Sequence, residues 1–152
     1  MHSRCFKVAA ADDREKDLDL KARTLYSDDA MDIPVADYID DMDEKAQEED
    51  RQDFLHMPGI HAVTRNIFKV DKSEYFKGRY ESLRSQVAEL TPEEFSGKTP
   101  KGFAKLYEIK STIDDQCGYY IYTSYADTMD NWVRDAEEDK EYELGSVLDY
   151  HF

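Results

Sequence analysis

Cys117-Gly118-Tyr119-Tyr120-Ile121-Tyr122-Thr123-Ser124-Tyr125 is the stretch whose reading decides the fold. Four tyrosines with an isoleucine and a threonine give the composition of a half-buried strand. Alternation puts Tyr120, Tyr122 and Ser124 on one face, and Tyr119, Ile121 and Thr123 on the other. Just upstream, Ala104-Lys105-Leu106-Tyr107-Glu108-Ile109-Lys110 reads as a partner strand. Residues 111–116, which include Asp114 and Asp115, suit a hairpin loop between the two. An amphipathic helix is expected after the tyrosine run, capped by Asp127, with Met129, Trp132, Val133 and Ala136 on its apolar face.

Working outward, residues 3–9 read as a strand, and Asp12-Asp13-Arg14-Glu15 as a capping-box-like start. The helix it opens would run to about Tyr26 with Leu18, Ala22 and Leu25 on one face. Pro34 suits the first turn of a further helix, in which Val35, Tyr38, Ile39, Met42 and Ala46 form a stripe. Residues 61–70 alternate as one strand. Asp71-Lys72-Ser73-Glu74 is a capping box opening a helix whose Phe76, Tyr80, Leu83, Val87 and Leu90 are expected in the core. Thr91-Pro92-Glu93-Glu94 starts a short helix that Gly97 ends. After Gly145, alternation of Leu148, Tyr150 and Phe152 predicts a last strand. The order implies a single α+β domain over residues 1–152, a small, mainly antiparallel sheet of about 4–5 strands covered by 4–5 helices.

A chain of 152 residues with 12% aromatic side chains is long and apolar enough to bury a core. No run approaches the roughly 20 apolar residues of a membrane span. Met1-His2-Ser3-Arg4-Cys5-Phe6-Lys7 lacks the apolar centre of a secretory signal, so a cytoplasmic protein is expected. Cys5 and Cys117 are too few for a disulfide framework and are expected as buried thiols in strands.

Net charge is −15, and it is uneven. Residues 1–55 hold 17 Asp/Glu against 8 Lys/Arg, residues 56–110 hold 7 against 10, and residues 111–152 hold 11 against 2. This disfavours direct contact with nucleic acid or anionic membranes, both of which need a basic face. A basic protein surface is the natural partner.

Most signature chemistries fail on spacing. Gly97-Lys98-Thr99 hints at a phosphate loop, but Pro92 stands where the motif needs its first glycine, and Pro100 is read as barring the helix that should follow. Asp41-Met42-Asp43-Glu44-Lys45 begins like a calcium loop, yet Lys45 fills the fifth position and no glycine follows. His56 and His61 lack the further ligands zinc needs. No nucleophile elbow or dinucleotide fingerprint is present, so no catalytic residue, cofactor or metal is assigned and an enzyme is not expected.

What remains is the acidic surface. One set is Asp37, Asp40, Asp41, Asp43, Glu44, Glu48 and Glu49, placed on the helix expected after Pro34. The second is Asp130, Asp135, Glu137, Glu138, Asp139 and Glu141, on and after the helix following the tyrosine run. Carboxylates three and four apart on a helix sit about 5–6 Å from one another. That is on the order of phosphate separations along a nucleic-acid strand. The expected function is an interaction module docking these faces on a basic surface, as a mimic of nucleic acid would on a nucleic-acid-binding protein. Small phage and plasmid inhibitors of restriction or CRISPR nucleases share this acidic composition. The alternatives are an enzyme or small-ligand binder with a pocket lined by Tyr119, Tyr120, Tyr122 and Tyr125, whose rings give apolar walls with hydroxyl handles, or an acidic domain of unrelated role.

Overall fold

A computed structural model describes residues 1–11, 24–29, 32–97 and 99–152. Residues 12–23 hold most of the first expected helix, which therefore lies outside the described residues. Thr24, Leu25 and Tyr26, its expected end, are not helical. The described chain divides into two compact units, residues 1–75 with 117–152, and residues 76–116.

The first is a sheet unit. Its seven strands among the described residues are β1 (His2–Ala10), β2 (Tyr38–Asp41), β3 (Ile60–Ala62), β4 (Ile67–Val70), β5 (Tyr120–Tyr122), β6 (Ala126–Thr128) and β7 (Tyr142–His151). They run in the order β3-β4-β7-β1-β5-β6, with β2 also paired to β7. The sheet is curled and mixed, because β1 and β5 are parallel, Cys5 opposite Tyr120. This corrects the expected small, mainly antiparallel sheet of four or five strands. The fold remains α+β.

Three misreadings account for the difference. The tyrosine run pairs with β6 and β1, because residues 104–110 are helical. Residues 38–41, read as helix, form β2: an acidic run of like charges opposes a helix there, and Asp43 caps the helix only from Glu44. Residues 61–70 form two strands joined by a turn at 63–66.

β7 is the hub. It pairs antiparallel with β1 along nearly its whole length, Cys5 opposite Leu148 and His2 opposite His151. Its other edge is shared, with β4 opposite Tyr142 and Glu143 and β2 opposite residues 148–151. Between those partners, α1 (Glu44–Leu55) completes the edge with side chains. Gln47 accepts from the Val147 amide at 2.9 Å, and Arg51 donates to the Gly145 carbonyl at 3.3 Å. Such pairing satisfies backbone groups that burial would otherwise orphan.

Two apolar layers flank this sheet. On one face, Cys5, Tyr120, Leu148 and Tyr150 pack with Leu25 and Ile33. On the other, aromatic rings follow one another: Phe6 to Phe54 at 4.8 Å, Phe54 to Phe68 at 5.2 Å, and Trp132 to Tyr142 at 5.1 Å. α1 supplies Phe54, and α5 (Met129–Asp135) supplies Trp132 and the buried Met129 and Val133. Thr128, not Asp127, caps α5. Gly59 turns the chain from α1 into β3 at φ +76°, where an added Cβ would lie 2.5 Å from the Asp71 carbonyl oxygen. Cys5 is buried as expected; Cys117 is exposed in the turn before β5.

The second unit is helical. α2 (Lys72–Ala88) starts in the sheet unit at the expected Asp71 cap and continues through residues 76–88. α3 (Pro92–Ser96) has the full capping box of Thr91 and Glu94. α4 (Pro100–Ile113) starts from the Thr99 cap with Pro100 at its first turn, so the proline read as a breaker is an initiator. α2 buries none of its residues, contrary to the core role expected for its stripe: Tyr80 and Val87 are exposed, and Phe76, Leu83 and Leu90 are half-buried. No helix among the described residues is long and apolar enough to cross a membrane.

Candidate functional site

The first acidic set lies on the β2–α1 segment. Asp37, Asp40, Asp41, Asp43, Glu44 and Glu49 are exposed and Glu48 is half-buried. Several have structural partners. Asp41 accepts from the Ser27 amide at 2.8 Å, and Asp43 accepts from the Ala46 amide at the start of α1. Glu44 and Glu48 hold the buried Arg51 at 2.5 and 3.0 Å. Hydrogen bonds from Arg51, then Arg65, hold the Glu48 carboxyl below its usual range. Asp37 and Glu49 are exposed, Glu49 lying 3.8 Å from Lys45, and Asp40 faces His151 at 3.4 Å.

The second set clusters at the exit of α5. Asp135, Glu137, Glu138 and Asp139 are exposed, and Glu141 is half-buried. Asp130 departs from the expectation of an outward face: it is 6% exposed and accepts from the Tyr75 hydroxyl at 3.0 Å. Its position one residue after the buried Met129 explains why, since the inward face of this short helix is wide.

The four tyrosines do not line one pocket. Tyr120 is buried against Tyr150, and Tyr119 packs edge-on to Phe6 on the opposite face. Tyr122 donates to the Asp29 carbonyl at 3.0 Å, and Tyr125 is exposed. Burial and the nearby Asp32 and Asp29 raise the Tyr122 hydroxyl above its usual range. A cleft of about 380 Å³ near this hairpin is walled instead by Thr123, Ser124, Trp132 and Tyr142 with residues 7–10. An opening of about 460 Å³ at the β7 edge has Arg51 and Asn66 in its wall.

A different group of side chains converges, and sequence spacing hid it. On the α1 face of the sheet, β1, β7 and β2 place His2 opposite His151 opposite Tyr38, and Arg4 opposite Asp149 opposite Asp40. Residues two apart on a strand share a face, so six side chains gather in two rows. His2 Nδ1 lies 2.9 Å from Asp149 Oδ2. His151 Nε2 lies 3.4 Å from Asp149 Oδ2 and 3.4 Å from Asp40 Oδ2. Arg4 bridges Asp149 Oδ1 and Asp50 of α1, both at 2.5 Å. Tyr38 stacks on the His151 ring at 3.9 Å. His2 and His151 are separated by 149 positions, so only strand pairing reveals them as neighbours. The chain matches no protein-family model, no curated protein and no solved structure.

Proposed function

We propose that this protein is an interaction module whose acidic sheet unit docks on a basic protein surface, one that otherwise holds nucleic acid. One observation carries the reading. The sheet unit holds 28 Asp/Glu against 13 Lys/Arg, while residues 76–116 hold 7 against 7. The neutral unit is the one that exposes Tyr80, Phe95, Phe103 and Tyr107. If acid excess served only to solvate the chain, it would be needed most beside those rings. It is concentrated instead in the unit that holds the buried core, although Tyr26, Tyr38 and Tyr125 are exposed there too.

The experiment uses a panel of nucleases and DNA-binding domains, each holding a fluorescent duplex. One member is expected to release its duplex at stoichiometric amounts of this protein, less so as salt rises. Changing Asp37, Glu49, Asp135 and Asp139 to Lys should weaken release at least about tenfold, since rim charges act through encounter. The matched change of Glu81, Glu89, Glu93 and Glu108 in the helical unit should not. Equal effects from both sets, or release from no panel member, would sink the proposal.

A further inference from the structure

We infer that His2, Asp149 and His151 form a binding site for a divalent transition-metal ion of the zinc type, with Asp40 as an outer partner. The contributing nitrogen and oxygen atoms of His2, Asp149 and His151 all lie within 4.8 Å of one another. The separations of 2.9, 3.4 and 3.4 Å bracket the edge of a tetrahedron with ligands about 2.0–2.1 Å from its centre, which is roughly 3.3 Å. One ion among them would reach these three groups, with Asp40 standing beside His151 at 3.4 Å.

Two further observations point to a missing partner. His151 Nε2 is fully buried yet makes no hydrogen bond: it sits near two carboxylates and is aligned with neither. A buried ring nitrogen left unpaired is costly, and a metal ion would use it. Carboxylates also gather there: Asp50 and Asp149 share Arg4, while Asp40 and Asp149 both lie beside His151.

The surroundings are those of a held ligand set. Arg4 takes Asp149 Oδ1 and leaves Oδ2 turned toward the histidines, and the Tyr38 ring fixes the plane of His151. Outer partners of this kind orient metal ligands and strengthen them. Strands carry all three ligands, which places them more firmly than loops would. Two imidazoles select zinc, cobalt, nickel or copper over calcium and magnesium. With His2 on β1 and Asp149 and His151 on β7, a bound ion ties those two strands together. The other convergent group among the described residues, His61, Asp71 and Glu74, lacks these features: Asp71 already accepts from the Glu74 amide as the cap of α2.

The test is titration of chelator-stripped full-length protein with Zn²⁺ by calorimetry and with Co²⁺ by visible absorption, both in excess Mg²⁺. One ion per chain is expected, with a four-coordinate Co²⁺ spectrum and a raised thermal midpoint on loading. His2→Ala and Asp40→Asn should each weaken binding at least about tenfold, the loss that even an outer partner causes. His61→Ala should bind like wild type. His151→Ala should abolish binding, with circular dichroism reporting its fold; if it unfolds, His2→Ala decides, because His2 is 60% exposed. No saturable single site, displacement by Mg²⁺, binding unchanged in His2→Ala, or binding lost in His61→Ala would each overturn the assignment.

Discussion

Residues 76–116 and the rest of the chain treat their apolar side chains in opposite ways. In the sheet unit Phe6, Phe54, Phe68, Tyr120 and Tyr150 are at most 2% exposed, and charge surrounds them. In the helical unit α2 and α3 bury nothing and α4 buries only Gly102, while Phe95 and Tyr107 are 67% and 72% exposed. A sheet collects side chains from strands distant in sequence, so its layers close from both faces. Three helices spanning 41 residues have too little surface to enclose a core between them. What holds them is local: caps, the Glu94 ion pairs, and Thr112 donating to Gln86 at 3.0 Å. Charge density and core density therefore travel together in this protein, and both belong to the sheet.

The largest test of that contrast is a pair of truncations. Phe54→Ala should cost about 3–5 kcal/mol of unfolding free energy, as aromatic core deletions do. Phe103→Ala and Tyr107→Ala should stay within about 0.5 kcal/mol, as exposed substitutions do. Equal losses would show that the helical unit has a core of its own. Next comes Gly102, where α4 meets α3. An added Cβ would lie 2.5 Å from the Glu94 carbonyl oxygen, so Gly102→Ala should destabilise by about 1–3 kcal/mol despite its better helix propensity. A gain in thermal midpoint would mean that the two helices part freely.

Acid sharpens the comparison further. Glu94 takes hydrogen bonds from Lys105 and from the Thr91 amide, which lower its carboxyl from 4.5 to about 2. Because the folded group titrates below the unfolded one, its contribution is complete above pH 4.5 and is lost as pH falls toward 2. Helix content should decline over that window in wild type, and Glu94→Gln should flatten that part of the curve. A wild-type signal unchanged from pH 5 to 2 would remove Glu94 from the account. The smallest effect is kinetic. Burial pushes the Cys5 thiol up to about 12, with Asp32 adding to the shift, whereas Cys117 stands exposed where the chain re-enters the sheet unit. A thiol reagent should modify Cys117 quickly and Cys5 only on unfolding. Two fast thiols would mean that the sheet opens readily at β1.

Local signals were legible and distant ones were not. The Thr91-Pro92-Glu94 capping box and the Asp71 cap stand as the residues imply, since each needs only four neighbours. β1 was readable for the same reason. Tyr107 and Ile109 drew residues 104–110 toward a strand, although Thr99-Pro100 and the helix formers Ala104, Lys105 and Leu106 together decide for α4. β2 escaped because pairing with β7, not its own propensity, makes it a strand. The acidic residues were legible as composition, but only the structure distinguishes those gripping Arg51 or capping α1 from those facing outward. The histidine–aspartate cluster had no local signal at all, because its members meet only through strand register.

That β7 is shared by three strands also sets a timetable. β1, β2 and β4 all need residues 142–151 before their hydrogen bonds to β7 can form, so on the ribosome those edges wait while more than 70 further residues are added after β4, the last of them. At about 5–20 residues per second, β1 waits on the order of ten seconds. Residues 76–116, whose contacts are close in sequence, can settle during that interval. The closing of the sheet on β7 comes late. Until then, the −9 charge of residues 1–55 makes nascent chains repel one another while their strand edges are still open.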